Sequence, residues 1–421
     1  MLAGILVALP LLLLAGSQIS QLRLNAELAR LRRAGEHLNL SELVPKVGPG
    51  EANAAPLYEQ AFAMAPKDMI SPAGSKRAWD TTEIARVKRL AAEHLRYFAL
   101  VEQASRVPTC AFPKDWGLAA DLEFPELARF REAARILEAR SEVEWREGRV
   151  DDAAQSCLVS LRIADHSDQD PGMLGHLVSV AIQAVSVGEL SHVFSAGDPS
   201  PATCRALYGQ LGKRTRLDQV AAAMKSERAW GLTAFDKMMK PDSASNQAKS
   251  YPAFWRLLMH EDELCYLHTM ERNIKSMGKP YRQARAEMQA TLDTVEHLPR
   301  FCFIISQMMT PAGARFLSSA YRHLALAGAA QIAAAAKGYK GAHGRYPTSL
   351  GELARDGWDL PSDPFTRAPY HYAREGSGIA VWSVGPDMTD NHGLDWNYRA
   401  NKIEDEAGYR PGYDYVFRCS Q

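Results

Sequence analysis

Apolar residues recur every three or four positions from about Leu40 to about Thr310, which is the period of amphipathic helices. Ser41 is placed to cap a short helix. Residues 51 to 66 set Leu57, Ala61 and Met64 on one helical face, and Thr81 to Ser105 reads as one long amphipathic helix. From Pro125 to Trp145, the residues Leu127, Phe130, Ala134 and Leu137 form a core stripe that Gly148 ends. Asp151 and Asp152 open the next helix, where carboxylates favour the positive helix end. There Ala154, Cys157, Leu161 and Ala164 repeat the stripe. Leu174 to Val187 is apolar nearly all round and predicts a helix buried in the middle of the helical domain. The turn GRVDDA at 148 to 153 resembles one tetratricopeptide-type turn, with no second copy at a period of 34, so an irregular helical-hairpin array is the description that fits. Residues 240 to 250 read as an exposed polar loop, and the aromatics of YPAFWR at 251 to 256 read as packing contacts.

The first turns are different. Leu2 to Ala15 carries no charge and is almost purely aliphatic, whereas a full membrane span needs roughly 20 residues. A signal peptide whose small residues Ala15, Gly16 and Ser17 serve cleavage is one reading. A tilted anchor extended by Ile19, Leu22 and Leu24 is the other. Arg23, Arg30, Arg32 and Arg33 all follow the apolar run, which by the positive-inside rule alone would hold the remainder in the cytoplasm.

The pattern changes again after Thr310. Arg315 to Tyr339 predicts a long alanine-rich helix with a stripe of Leu317, Tyr321, Leu324, Ile332 and Ala335. Gly328 falls on that face, where a missing side chain lets a neighbouring element come close. Gly341 and Gly344 end the helix, and Thr348 begins a short one running through Ala354. Asp363-Pro364-Phe365 is a turn, and Tyr370, Tyr372, Ile379, Val381 and Trp382 supply strands around a turn at Gly376 and Gly378.

These residues, in this order, resemble the globular head of the major pseudopilin of type II secretion systems. The matching positions are Tyr339, Gly344, Tyr346, Pro347, Thr348, Leu350, Asp363, Pro364, Phe365, Pro369, Tyr370, Tyr372, Ser383, Gly385 and Asp387, within roughly 312 to 396. The basic leader and the Phe and Glu that open a pseudopilin's membrane helix do not precede this stretch, so filament assembly is not implied. By the same resemblance, Ser383 to Trp396 corresponds to the family's calcium loop. Asp387, Asp390, Asn391 and Asp395 are the oxygen donors that a calcium ion there would use, and a solvated acidic turn is the plain alternative. With its hydrophobic amino terminus, the Arg-rich helix after it, the Asn53-Ala54-Ala55 segment and the terminal pseudopilin-like head, the chain as a whole resembles uncharacterised exported proteins of planctomycete-type bacteria, and the resemblance implies a cell-envelope location, on the periplasmic side, anchored or exported.

Bulk composition narrows the function classes. Lys plus Arg and Asp plus Glu are 49 each, with no long basic run, which argues against nucleic acid. The chain contains no Cys-x-x-Cys pair, phosphate loop or Gly-x-Ser-x-Gly elbow. Six cysteines allow 15 pairings, and buried free thiols are the simpler expectation. Asp165, His166, Asp168 and Asp170 cluster past a helix, where a His between carboxylates suits base chemistry, although an exposed helix end has the same composition. His260 to Glu263 lacks the second His of a helical zinc site. The expected fold is mainly α: a signal peptide or anchor at 1–22, an α-helical domain at 23–310, and a small α+β pseudopilin-like domain with an antiparallel sheet at 311–421. The expected function is non-enzymatic, a protein-binding or scaffold role. A hydrolase with its site between the helices and the C-terminal module is the alternative.

Overall fold

The computed structural model describes residues 2–70, 79–116, 118, 122–239, 252–395 and 412–420. Their fold is mainly α with one small antiparallel sheet. Helix α1 (Leu2–Arg33) leads into α2 (Ala55–Ala63), α3 (Thr81–Glu93), α4 (Leu95–Ser105), α5 (Pro125–Arg146), α6 (Val150–Ser167) and α7 (Met173–Ala196). Then follow α8 (Pro201–Gly212), α9 (Leu217–Met239), α10 (Ala253–Ser276), α11 (Tyr281–Glu296), α12 (Ile304–His343) and α13 (Leu350–Arg355). Strands β1 (His371–Glu375), β2 (Gly378–Ser383) and β3 (Tyr415–Cys419) pair in that order.

The helical stripes do what their spacing requires. Leu127, Phe130, Ala134 and Leu137 of α5 and Ala154, Cys157, Leu161 and Ala164 of α6 are all buried. Gly148 turns between the two helices with φ +78°. Helix α7 is long and apolar enough to cross a membrane. It also packs on α5, α6, α12 and β3, so core burial accounts for its composition. The long helix expected over 81–105 is two helices. At His94 the backbone leaves the helical region (φ −116°, ψ 32°), and Leu95 starts α4 there. The loop expected at 240–250 lies outside the described residues. All six cysteines are free thiols.

Two expectations about packing change. Phe254 and Trp255, at the start of α10, are 49% and 41% exposed and are not core contacts. The second concerns the boundary expected between 310 and 311, which falls inside the continuous helix α12. One hydrophobic core joins Leu161 of α6, Leu190 of α7, Leu207 of α8, Ile332 of α12, Leu353 of α13 and Val381 and Phe417 of the sheet. The physical reason is the composition of α12. From Ala329 to Ala336 every residue is buried, so the helix needs cover on more than one side. The sheet covers one side, and α7 and α8 cover another.

Register in the sheet follows the hairpin. Tyr372 faces Val381 and Glu375 faces Gly378 across the Gly376 turn, and Val381 in turn pairs with Phe417. Tyr370 leads into this ribbon and buries its ring against Gly328, its hydroxyl donating to the Ala325 carbonyl at 3.1 Å. A Cβ on Gly328 would lie 2.2 Å from that hydroxyl oxygen. Gly328→Ala should therefore push Tyr370 out and cost roughly 1–3 kcal/mol, measured as a lower urea midpoint. An unchanged midpoint would show that the sheet does not depend on this close approach.

Candidate functional site

The acidic end of α6 is the first place to look for chemistry, and its side chains diverge. His166 is buried; its Nδ1 lies 2.8 Å from the Tyr58 hydroxyl and its Nε2 lies 2.7 Å from the Val107 carbonyl. That fixes the tautomer: Nε2 donates and Nδ1 accepts. Burial lowers its pKa, so the ring stays neutral. Asp165 and Asp168 both grip the buried Arg214, the second through a 2.7 Å bond to its Nη1. Asp168 also holds His176 Nδ1 at 2.7 Å. Asp170 turns to Lys114, at 2.6 Å, in a buried cluster that includes Glu126. Burial and the second carboxylate push Asp170 up to about 6, against the pull of Lys114. These four residues, all within six positions of one another, reach α2, the turn after α4, the turn after α8, α7 and the loop before α5. The physical reason is that a helix end points successive side chains in different directions, so proximity along the chain does not bring them to one point.

In the second acidic stretch, His260 is buried on α10 and Asp262 is structural. The Asp262 carboxylate accepts the backbone N–H groups of Ile305 and Ser306 at 2.9 and 3.1 Å. It thereby caps the first turn of α12 and complements the positive helix end.

The acidic loop after β2 is tightly wound. Met388 and His392 hold φ near +57° and +58° between Gly385 and Gly393. Asp387 accepts the N–H groups of Thr389 at 3.0 Å and Gly412 at 2.7 Å, and the Asn391 amide donates to it at 3.5 Å. Asp390 accepts Trp382 Nε1 at 3.0 Å and the His392 N–H at 2.8 Å. The buried Asp414 accepts from the backbone of Asn391 and Gly393. Asp395 forms an isolated bridge to Asp414. Among the described residues, no group of three or more His, Cys, Asp or Glu side chains is placed to share an ion. Calcium needs six to eight converging oxygens. Here Asp387 and Asn391 come together, Asp390 engages Trp382, and each of these carboxylates already accepts N–H donors. Among the described residues, these donors do not converge on one point.

A cleft of about 410 Å³ lies where the helical body meets the sheet. Val187 and Ser191 of α7, Arg322 and His323 of α12, and Phe417 and Arg418 of β3 line it. His323 Nε2 lies 2.5 Å from the Gln183 amide oxygen, and burial pushes its pKa down to about 3. The Ser191 hydroxyl donates to the Arg418 carbonyl at 2.6 Å, and Arg418 pairs with Glu375 at 2.7 Å. The sequence did not single these residues out. His323 and Ser191 sit on helices that read as core, and only the fold brings β3 beside them.

One more buried acid stands apart. Glu189 of α7 accepts Trp145 Nε1 at 3.1 Å. Lost hydration, and then the nearby Glu142, hold its carboxyl up to about 8.

No protein-family model, curated protein or solved structure matches the chain.

Glu189 and the loop each yield a test. The native state keeps the Glu189 proton, which the unfolded chain releases near its ordinary 4.5. The contribution of this group is complete below that value and is lost as pH rises toward about 8. Glu189→Gln should flatten the decline in stability between about pH 5 and pH 8, read from urea melts across that range. Equal slopes in the two proteins would place the Glu189 titration elsewhere. For the loop, millimolar calcium should leave the melting temperature unchanged. A rise of several degrees would show that Asp387 and Asn391 turn onto an ion.

Proposed function

We propose that the chain is a membrane-anchored, envelope-associated scaffold, without enzymatic activity, that presents a pseudopilin-like module to protein partners of a type II secretion apparatus. The observation that carries this is the way the motif residues meet on α12. Tyr346 packs in the same core as Tyr370 and Trp358. Asp363 accepts the N–H groups of Phe365 at 2.8 Å and Val384 at 3.1 Å, which locks the Asp-Pro-Phe turn against the end of β2. Tyr372 donates to the Pro347 carbonyl at 2.8 Å. The residues that carry the resemblance thus build one helix-plus-sheet head, and other helices of the same chain cover the rest of α12. A head held this way suits display at a fixed position.

A hydrolase in the α7–α12–β3 cleft is the second reading, favoured by Ser191, Ser319 and His323 lining one cavity. The Ser191 proton and His323 Nε2 are directed to Arg418 and Gln183, not to each other. A nucleophile and its base need a mutual hydrogen bond, so binding is favoured over catalysis.

Thr389 is exposed on the head. A photo-crosslinking residue at that position, in cells carrying a type II secretion system, should trap an adduct whose added mass is that of a pseudopilin. Adducts confined to other proteins, or none, would overturn the scaffold reading.

A further inference from the structure

Large apolar side chains lie exposed at one end of the helical body. Three contacts fix the geometry. Gly16 sits against Leu257, Arg23 pairs with Glu261 at 3.3 Å, and Arg30 pairs with Glu271 at 3.6 Å. Numbers rise together along the two helices, so α1 and α10 run parallel. Asp262 caps α12 at Ile305 and Ser306, and the ring of Tyr281, just past α10, lies tilted against Tyr321 with centroids 4.8 Å apart. Helix α12 therefore runs parallel to α10 as well. The amino-terminal turns of α10 and α12 share one end of the molecule, and the apolar run of α1 emerges at that same end.

The exposed residues there come from all three helices and the turn before α12. Leu12 and Leu22 of α1 are 68% and 66% exposed, and Phe301 and Met308 are 71% and 73% exposed. Phe254 and Trp255 belong to the same group. Along α10, the distance from Phe254 to the level of Asp262 is about 12 Å at 1.5 Å per residue. The Arg23–Glu261 pair stands at that level, and Met308, three residues past Ile305, lies about 5 Å beyond it. The opposite face of α1 is polar and small: Ser17 and Ser20 are buried with Leu24 and Leu31 against the body. Small residues allow that close helix contact, and Leu11, Leu12, Leu14 and Leu22 face outward.

Resting on the membrane-anchored reading above, we propose that this end of the molecule is itself a bilayer contact. The start of α10 and the turn before α12 dip into the lipid interface around α1. The occupant is a phospholipid surface because the patch is continuous with the apolar run of α1, which no described helix covers at Leu11, Leu12 and Leu14. Trp is favoured at the boundary of headgroups and acyl chains, and Trp, Phe and Leu form the buried face of interfacial helices. A depth of about 12 Å spans the headgroup layer and the beginning of the hydrocarbon. Arg300 is exposed at the same end, and basic side chains beside a bilayer are attracted to anionic headgroups.

The test places nitroxide labels singly at Leu12→Cys, Phe301→Cys, Met308→Cys and Leu95→Cys. The background carries Cys265→Ser and Cys302→Ser, because the other four cysteines are buried. The full chain is reconstituted in vesicles of phosphatidylethanolamine and phosphatidylglycerol. Labels at 12, 301 and 308 should be more accessible to oxygen than to a water-soluble nickel chelate, and the label at 95, 69% exposed in the wild-type chain, should show the reverse. If 12 reports lipid while 301 and 308 report water, the inference falls and the anchor stands. If 301 and 308 are shielded from both reagents, a second copy covers the patch and the inference falls. If 12 also reports water, the membrane-anchored reading falls with it. In the wild-type chain, brominated lipids should quench tryptophan fluorescence, and Trp255→Phe should remove most of that quenching. Equal quenching in both proteins counts against the contact.

Discussion

The structure depends on burying one helix from several sides at once. Residues 329 to 336 of α12 have almost no exposed surface. A helix of alanines has little side chain of its own to fill a core, so its neighbours must come to it. Tyr370 reaches in from the sheet side, and Tyr208 and Trp358, in T-shaped contact at 4.9 Å, close the α8 side. Even the charge on this helix is taken inside. Lys337 is fully buried, and its ammonium is held by the Gly197 carbonyl at 2.7 Å and Asp198 at 2.6 Å. A buried ammonium is tolerable only when its donors are matched this closely. The end of α7 and the start of α8 are thereby pinned to α12.

Buried polar groups elsewhere act in the same way. Arg214 joins α6 to the turn after α8 through Asp165 and Asp168, and Lys114 joins the loop before α5 to the end of α6 through Asp170. Arg228 of α9 holds Glu36 and Glu271, linking α9 to α10 and to the segment after α1. Removing one partner from such a pair leaves an uncompensated buried charge, which is far costlier than the net value of the intact pair. These groups specify which helix meets which, while the apolar stripes only require that helices meet.

The helical class, the stripes of α5 and α6, and the ribbon after residue 368 were legible because each rests on local periodicity or turn chemistry. The close approach at Gly328 was legible for the same reason, since a glycine inside an apolar stripe has few other uses. The break at His94 was not, because no proline or glycine marks it and the helix is interrupted by backbone geometry alone. The shared core was hidden too. An alanine-rich helix reads identically whether one layer or two cover it, and only tertiary packing decides. The cluster at the end of α6 shows the opposite failure: a sequence dense in Asp and His suggests a site, yet His166, the Asp165–Asp168 pair and Asp170 turn to Tyr58, Arg214 and Lys114 respectively. The cleft lining escaped notice because β3 lies far along the chain from α7, and no local pattern joins Ser191 to Arg418.

Helix α12 has 40 residues, so at 1.5 Å per residue its axis extends about 60 Å. One end stands beside the amino-terminal turns of α10, and the other enters the tyrosine-rich head. From Ala329 to Ala336 the helix is covered on more than one side. The standoff between the head and the base is therefore set by residue count along α12.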